Sequence, residues 1–334
     1  MYKQKLKNLQ IIPKSVRISV LGVLVAIIIA FVVVSATKSS DTEQTTRPNP
    51  LLSMLQAAQQ AHQSAEPAAP VVPSHLKTVT ATIDRTLSHT LMAAIGPGGD
   101  ALSAEVSRLL VWDINLRRDL RQGDTLSVVW EGTTPDTLVV HAVRLDSGKL
   151  GRPIEAFRFA APNDLYPSYW SADGIEVPFR LNNTPIDNYE QITSLLKDRP
   201  RHHGMDFMAP VGTIVQSPYA GTVTKTDWNL AANGNCVEIR FEDGILAKFL
   251  HLSRTDVKAG DRVEVGQKIG LSGNTGRSTG PHLHYQLNRG KTVVDPLDYH
   301  GTTRRTLSAE VHPSLSRVVE EMRRLLSVEN QPTG

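Results

Sequence analysis

Gly273-Asn274-Thr275-Gly276-Arg277-Ser278-Thr279-Gly280-Pro281-His282-Leu283-His284 is the most informative stretch of this chain. Its glycines belong to a pattern that runs from about Arg201 to Tyr299. Short strand-like runs there are separated by Gly212, Gly221, Gly234, Gly244, Gly260, Gly266, Gly270 and Gly290. Many short strands at close spacing with glycine between them predict an all-β sandwich or barrel. No long amphipathic helix interrupts the pattern. On a strand, the imidazoles of Pro281-His282-Leu283-His284-Tyr285 stand at i and i+2 and so share a face.

Working outward, five of the eleven histidines fall in this β segment: His202, His203, His251, His282 and His284. Arg201-His202-His203-Gly204-Met205-Asp206 holds an imidazole and a carboxylate four positions apart. The intervening glycine argues against a helix, so a turn or bulge must bring both side chains to one point. His251 closes the apolar run Ile245–Leu250. Neutral imidazole and carboxylate are good Zn²⁺ ligands, and catalytic zinc sites use three protein ligands and a water. His202, Asp206 and one histidine of the pair would form such a site. The remaining two would move protons or stabilise an oxyanion during metal-assisted hydrolysis. Each histidine alone is more often structural. The combination carries the reading.

Those residues, with Ala209-Pro210-Val211-Gly212-Thr213, Phe249-Leu250-His251-Leu252-Ser253 and the glycine-rich stretch, resemble the lysostaphin/LytM-type zinc metallopeptidases. The resemblance covers about the last third of the chain, in the same order. It implies an open, β-sandwich-like duplicated hybrid motif with the metal in a groove, and one zinc per chain. It makes His202, Asp206 and His284 the metal ligands. His251 and His282 then flank the zinc-bound water as base, proton donor or transition-state stabiliser. His203, at a variable position of the motif, is expected to be a bystander. Upstream, Val111-Trp112-Asp113-Ile114 and Leu120–Glu131 resemble the opacity-associated or LysM-like domain of Gram-negative murein endopeptidases of the MepM kind.

The rest of the chain concerns placement. Ile18–Ala36 carries no charge and follows Lys3, Lys5, Lys7, Lys14 and Arg17. As a helix it would span about 28 Å, close to the hydrocarbon thickness of a bilayer. Basic residues before it and none of opposite sign until Asp41 predict a cytoplasmic N-terminus and an exported body. Cleavage near Val34-Ser35-Ala36, giving a secreted form, is the alternative. Residues 37–77, rich in Ser, Thr, Gln, Ala and Pro, read as a disordered linker. A small α+β domain follows over 78–180, with helices around Thr90–Ile95 and Ala101–Trp112 and strands at Thr125–Glu131, Leu138–Leu145 and Ile154–Phe159. The peptidase domain is expected over 188–300. Helical spacing of Leu315, Val318, Val319, Met322, Leu325 and Leu326 in 301–334 predicts a terminal helix packed on the main body.

The predicted whole is mainly β: a basic cytoplasmic segment (1–17), an N-terminal transmembrane helix (18–36), the linker, the α+β domain, the peptidase domain and a C-terminal helix. A formal net charge of +3 gives no sign of a nucleic-acid partner, and the lone Cys236 excludes an intramolecular disulfide framework. The expected function is zinc-dependent hydrolysis of peptidoglycan peptide stems from the periplasmic side of the inner membrane, as a single-pass protein. Two other readings stand beside it: a non-catalytic activator of a peptidoglycan amidase, and an enzyme held latent by the 78–180 unit. Protein partners are not readable from the sequence.

Overall fold

The structure is a computed structural model that describes residues 75–135, 137–198 and 202–327. Among these, no helix is long and apolar enough to cross a membrane. The expected span Ile18–Ala36 and the linker before residue 75 lie outside the described residues.

Strand β1 (Lys77–Thr82) leads into helix α1 (Leu87–Ile95), which begins three residues earlier than its apolar pattern suggested. Thr86 explains the start: its backbone is extended and its side chain accepts the His89 amide, meeting one of the unpaired donors of the first turn. Helix α2 (Gly99–Leu110) follows, then strands β2 (Thr125–Glu131), β3 (Val139–Ser147), β4 (Arg152–Phe159) and β5 (Ser168–Trp170). They form one antiparallel sheet in the order β1-β2-β3-β4-β5. The interior of β2 is buried on both faces, which only a sheet covered on both sides allows. Leu126, Val128 and Trp130 join Leu91, Leu102, Val106 and Leu110 of α1 and α2 in one core.

The opposite face holds a surprise. Val129, Ala142, Phe157 and Trp170 pack against Leu315, Val319, Met322, Leu325 and Leu326. These last five belong to helix α5 (His312–Leu326). The C-terminal helix therefore completes the upstream sheet, not the body that bears the histidines. Its apolar stripe was readable, but periodicity says only that a face is buried, not against what.

Between these parts the chain runs through β6 (Arg180–Leu181), β7 (Gln191–Ser194), β8 (Met205–Met208), β9 (Ile214–Gln216), β10 (Gly221–Thr226), helix α3 (Leu230–Asn233), β11 (Asn235–Phe241) and β12 (Leu246–Leu252). Then come β13 (Arg254–Thr255), β14 (Arg262–Val263), β15 (Lys268–Leu271), β16 (His282–Arg289), β17 (Thr292–Val294), helix α4 (Pro296–His300) and β18 (Thr302–Thr303). The main sheet is antiparallel in the order β14-β10-β11-β12-β16-β8-β7, with β17 also on β16. A smaller sheet, β13-β15-β9, accompanies it. Phe207, Val237, Ile239, Phe249, Leu283, Tyr285 and Leu287 form its core. On β16 these alternate with His282, His284 and Gln286, which are only half-buried. The apolar face thus fixes the register that turns both histidines outward together.

Glu176 ties the upstream sheet to the returning chain. The carboxylate is fully buried. It accepts Arg180 at 2.8 and 2.9 Å, Arg305 at 2.8 Å on each oxygen, and the Ser168 hydroxyl at 2.7 Å. Burial pushes its pKa up, but the bonds from Arg180, Arg305 and Ser168 outweigh that and hold it at about 2. The unfolded chain therefore binds this proton more tightly. The stabilisation is complete above the ordinary value of 4.5 and is lost as pH falls from there through about 2. Glu176→Gln should cost about 1.5–3 kcal/mol at neutral pH, because it removes the anion that the half-buried Arg180 and Arg305 share. Chemical denaturation of both proteins between pH 7 and pH 2 checks this: the gap should narrow toward the acid end.

Candidate metal centre

His284 on β16 lies directly opposite Asp206 on β8 in the strand register. The antiparallel pairing alone therefore brings an imidazole and a carboxylate together, with His284 Nδ1 2.7 Å from Asp206 Oδ1. His202 arrives from the turn before β8 and sets its Nε2 3.1 Å from Asp206 Oδ2. The ligand atoms of His202, Asp206 and His284 all lie within 4.8 Å of one another. Gly204 makes this approach possible. A Cβ there would stand 2.4 Å from the Tyr285 carbonyl and 2.9 Å from His284 Nε2. The residue is needed for its missing side chain, since those contacts are closer than any real Cβ makes.

The outer nitrogens show what the cluster is built to hold. His202 Nδ1 lies 2.8 Å from the Leu195 carbonyl, which accepts only, so that nitrogen carries the proton. In the neutral ring Nε2 then presents a lone pair to a carboxylate oxygen. Two lone pairs at that distance need a positive centre between them, a proton or a metal ion. Two imidazoles and one carboxylate, from strands β8 and β16 and the turn before β8, match the three-ligand donor set of catalytic zinc sites, and the carbonyl on His202 is the kind of outer partner that orients such ligands. Burial would raise the Asp206 pKa, but the hydrogen bonds to His202 and His284 hold the carboxyl well below the usual carboxylate range.

The other two histidines stand beside this cluster. The His251 ring lies 4.8 Å from that of His282 and 6.1 Å from that of His284, centroid to centroid. His251 Nδ1 donates to the Thr275 carbonyl at 2.9 Å and His282 Nδ1 to the Gly280 carbonyl at 2.8 Å. Both rings therefore offer Nε2, and His282 Nε2 lies 3.9 Å from Asp206 Oδ1. Burial, with His282 and His284 adding to it against the Thr275 carbonyl, pushes the His251 imidazole down to about 4. It is neutral at pH 7 and able to accept a proton.

His251 has φ +65°, a left-handed conformation that a bulky residue adopts at a cost and that concentrates at functional sites. The kink breaks the strand alternation, so Leu250 and His251 both line the groove. Gly273 makes room for it: a Cβ there would stand 2.3 Å from the Ser253 nitrogen and 2.7 Å from the His251 carbonyl oxygen. Thr275 braces the same point, its hydroxyl donating to the Leu252 carbonyl at 2.7 Å.

All five expected residues thus line one groove of about 650 Å³. His203 is outside the three-residue cluster but is exposed on the groove wall. Three contributors escaped the sequence reading. Leu195 acts through its carbonyl, Thr275 stood in the signature without an assigned part, and Arg108 of α2 also lines the groove.

Residues 200–296 match the model of peptidase family M23. They form a family M23 domain. The peptidoglycan DD-endopeptidase ShyC of Vibrio cholerae is 32% identical to the chain over 192 residues, covering 55% of this chain and 44% of ShyC. Lysostaphin of Staphylococcus simulans is 42% identical over 103 residues, 29% of this chain and 21% of its own. The solved catalytic domain of that lysostaphin aligns with 29% of this chain and 77% of its own, at 38% identity and a TM-score of 0.28. The chain spans about half the length of the first curated relatives it matches. The M23 domain makes Gly204 a direct test of the ligand geometry. Gly204→Ala should lower metal affinity about 10- to 100-fold, the usual effect of disturbing a ligand's support. Competition with a chromophoric chelator measures this, and far-UV circular dichroism should stay unchanged.

Proposed function

We propose that the chain is a zinc-dependent endopeptidase that hydrolyses the peptide cross-links of bacterial peptidoglycan. The observation that carries this is the convergence of the His202, Asp206 and His284 ligand atoms beside two histidines that each present Nε2 to the same groove. These three residues would hold one zinc ion, which polarises a peptide carbonyl and lowers the pKa of a bound water. His251, neutral at working pH, takes a proton from the attacking water. His282, held by the Gly280 carbonyl, stands where a hydrogen bond to the developing oxyanion or a proton for the leaving amine is required. The substrate class is supported by the names of ShyC and lysostaphin-type relatives.

Membrane placement is part of the same proposal. The uncharged segment Ile18–Ala36, flanked by basic residues, would hold the protein in the inner membrane with the M23 domain in the periplasm. The alternative, a non-catalytic amidase activator, is disfavoured by the intact set of five side chains in one groove.

Incubation of the protein with zinc and purified muropeptide dimers should yield monomers. The reaction should vanish with a chelator and in His284→Ala. An inert, metal-free protein that stimulates an added amidase would overturn the enzyme reading. His251→Ala and His282→Ala should each lower kcat by about 10²–10³-fold, with zinc content kept at one per chain. A proportional loss of zinc would instead make them ligands.

A further inference from the structure

A second cleft, of about 910 Å³, opens between α2 with its following turn and the segment that runs from β7 to Asp198. It shares Arg108, Thr193 and Ser194 with the catalytic groove. The two adjoin at these residues, with Arg108 on the wall of both. Arg108 is held there by Nε donating to the Thr193 carbonyl at 3.2 Å and by an ion pair with Glu105.

The charges of this cleft are not balanced. Its acidic groups are each engaged. Asp113 pairs with Arg304 at 3.0 Å, Asp119 with Lys149 at 2.7 Å, and Asp198 accepts the Leu195 amide at 3.1 Å. Arg117, Arg118 and Lys197 are exposed and make no ion pair with any described residue. Their backbones are nevertheless fixed. Both arginine amides donate to Asn115 Oδ1, and the Lys197 amide donates to the carbonyl of the ligand His202 at 3.2 Å. Beneath this basic rim lie the buried Ile114 and Ile192 and the half-buried Trp112. Apolar side chains beside three exposed cations suit a short peptide of small side chains with free carboxylates. A cross-linked wall peptide has two arms and more than one such carboxylate.

We propose that this cleft is the second arm of the substrate site. It takes a carboxylate-bearing peptide stem, and Arg108 acts as a specificity-determining residue where the cleft meets the groove. The inference rests on the peptidase reading above and places part of substrate choice in the upstream domain. Arg108 uses Nε on the Thr193 carbonyl and Nη1 on Glu105, which leaves Nη2 for a carboxylate entering at the junction.

The test uses the full chain with a fluorescent stem peptide ending in a free carboxylate and the same peptide ending in a carboxamide. Equilibrium binding should favour the carboxylate about tenfold, the usual worth of one charge-assisted contact. That preference should disappear in the triple variant Arg117→Gln/Arg118→Gln/Lys197→Gln and in Arg108→Gln, and return in part in Arg108→Lys. On muropeptide dimers, the triple variant should raise KM about tenfold with kcat kept, the mark of lost uniform binding. Thermal midpoint and zinc content, read alongside, should match the wild type for the triple variant of exposed side chains. Equal binding of the two peptides by the wild type, or a preference that survives in the triple variant, would overturn the proposal. Carboxylate preference without dimer cleavage would sink the peptidase reading alone. Cleavage without preference would sink this one alone.

Discussion

The carboxylate of Asp206 sets the terms for the peptidase half of this molecule. It is almost wholly withdrawn from water, and burying an anion is tolerable only where positive charge or strong donors meet it. Two imidazoles face it from different directions, one across the β8–β16 register and one from the turn before β8. Neither direction has slack. The turn needs a residue without a side chain at Gly204, and the register is pinned by Phe207, Leu283 and Tyr285 on the opposite face. The histidine–aspartate cluster and the hydrophobic core are thus two faces of the same pair of strands. A slip of one residue would bury the histidines and expose the core.

Much of this was legible beforehand because it is local or periodic. The i and i+2 spacing of His282 and His284 needed only strand geometry, and the glycine-punctuated texture identified a β architecture. The expected ligand set came from likeness to a known family, and the strand register accounts for the approach of His284 to Asp206. What could not be read is what depends on backbone atoms or on distant chain. The Leu195 and Gly280 carbonyls that orient His202 and His282 carry no side-chain signature. The φ of +65° at His251 has no sequence mark, since glycine or asparagine would be the usual sign of it. The Glu176–Arg180–Arg305 cluster joins residues too far apart in the chain for any spacing rule to connect them.

The terminal helix α5 taught the sharpest lesson. Its stripe of Leu315, Val319, Met322 and Leu325 predicted burial correctly, yet the partner surface was the upstream sheet and not the peptidase core. Amphipathicity is a property of one element, and it names no counterpart. The counterpart showed itself only in β2, whose uninterrupted burial requires cover on two faces.

That arrangement bears on how the protein comes into being. The upstream sheet is made of residues 77–170, but one of its two apolar faces is closed by a helix that starts at His312. During synthesis, Val129, Phe157 and Trp170 must wait bare while the whole M23 domain emerges between them and their cover. The upstream sheet is made before the M23 domain and finished after it. An unfinished or clipped chain would carry a sticky, half-covered sheet, a shape that quality-control chaperones and proteases are equipped to notice. The order of these elements thus ties completion of the upstream sheet to helix α5.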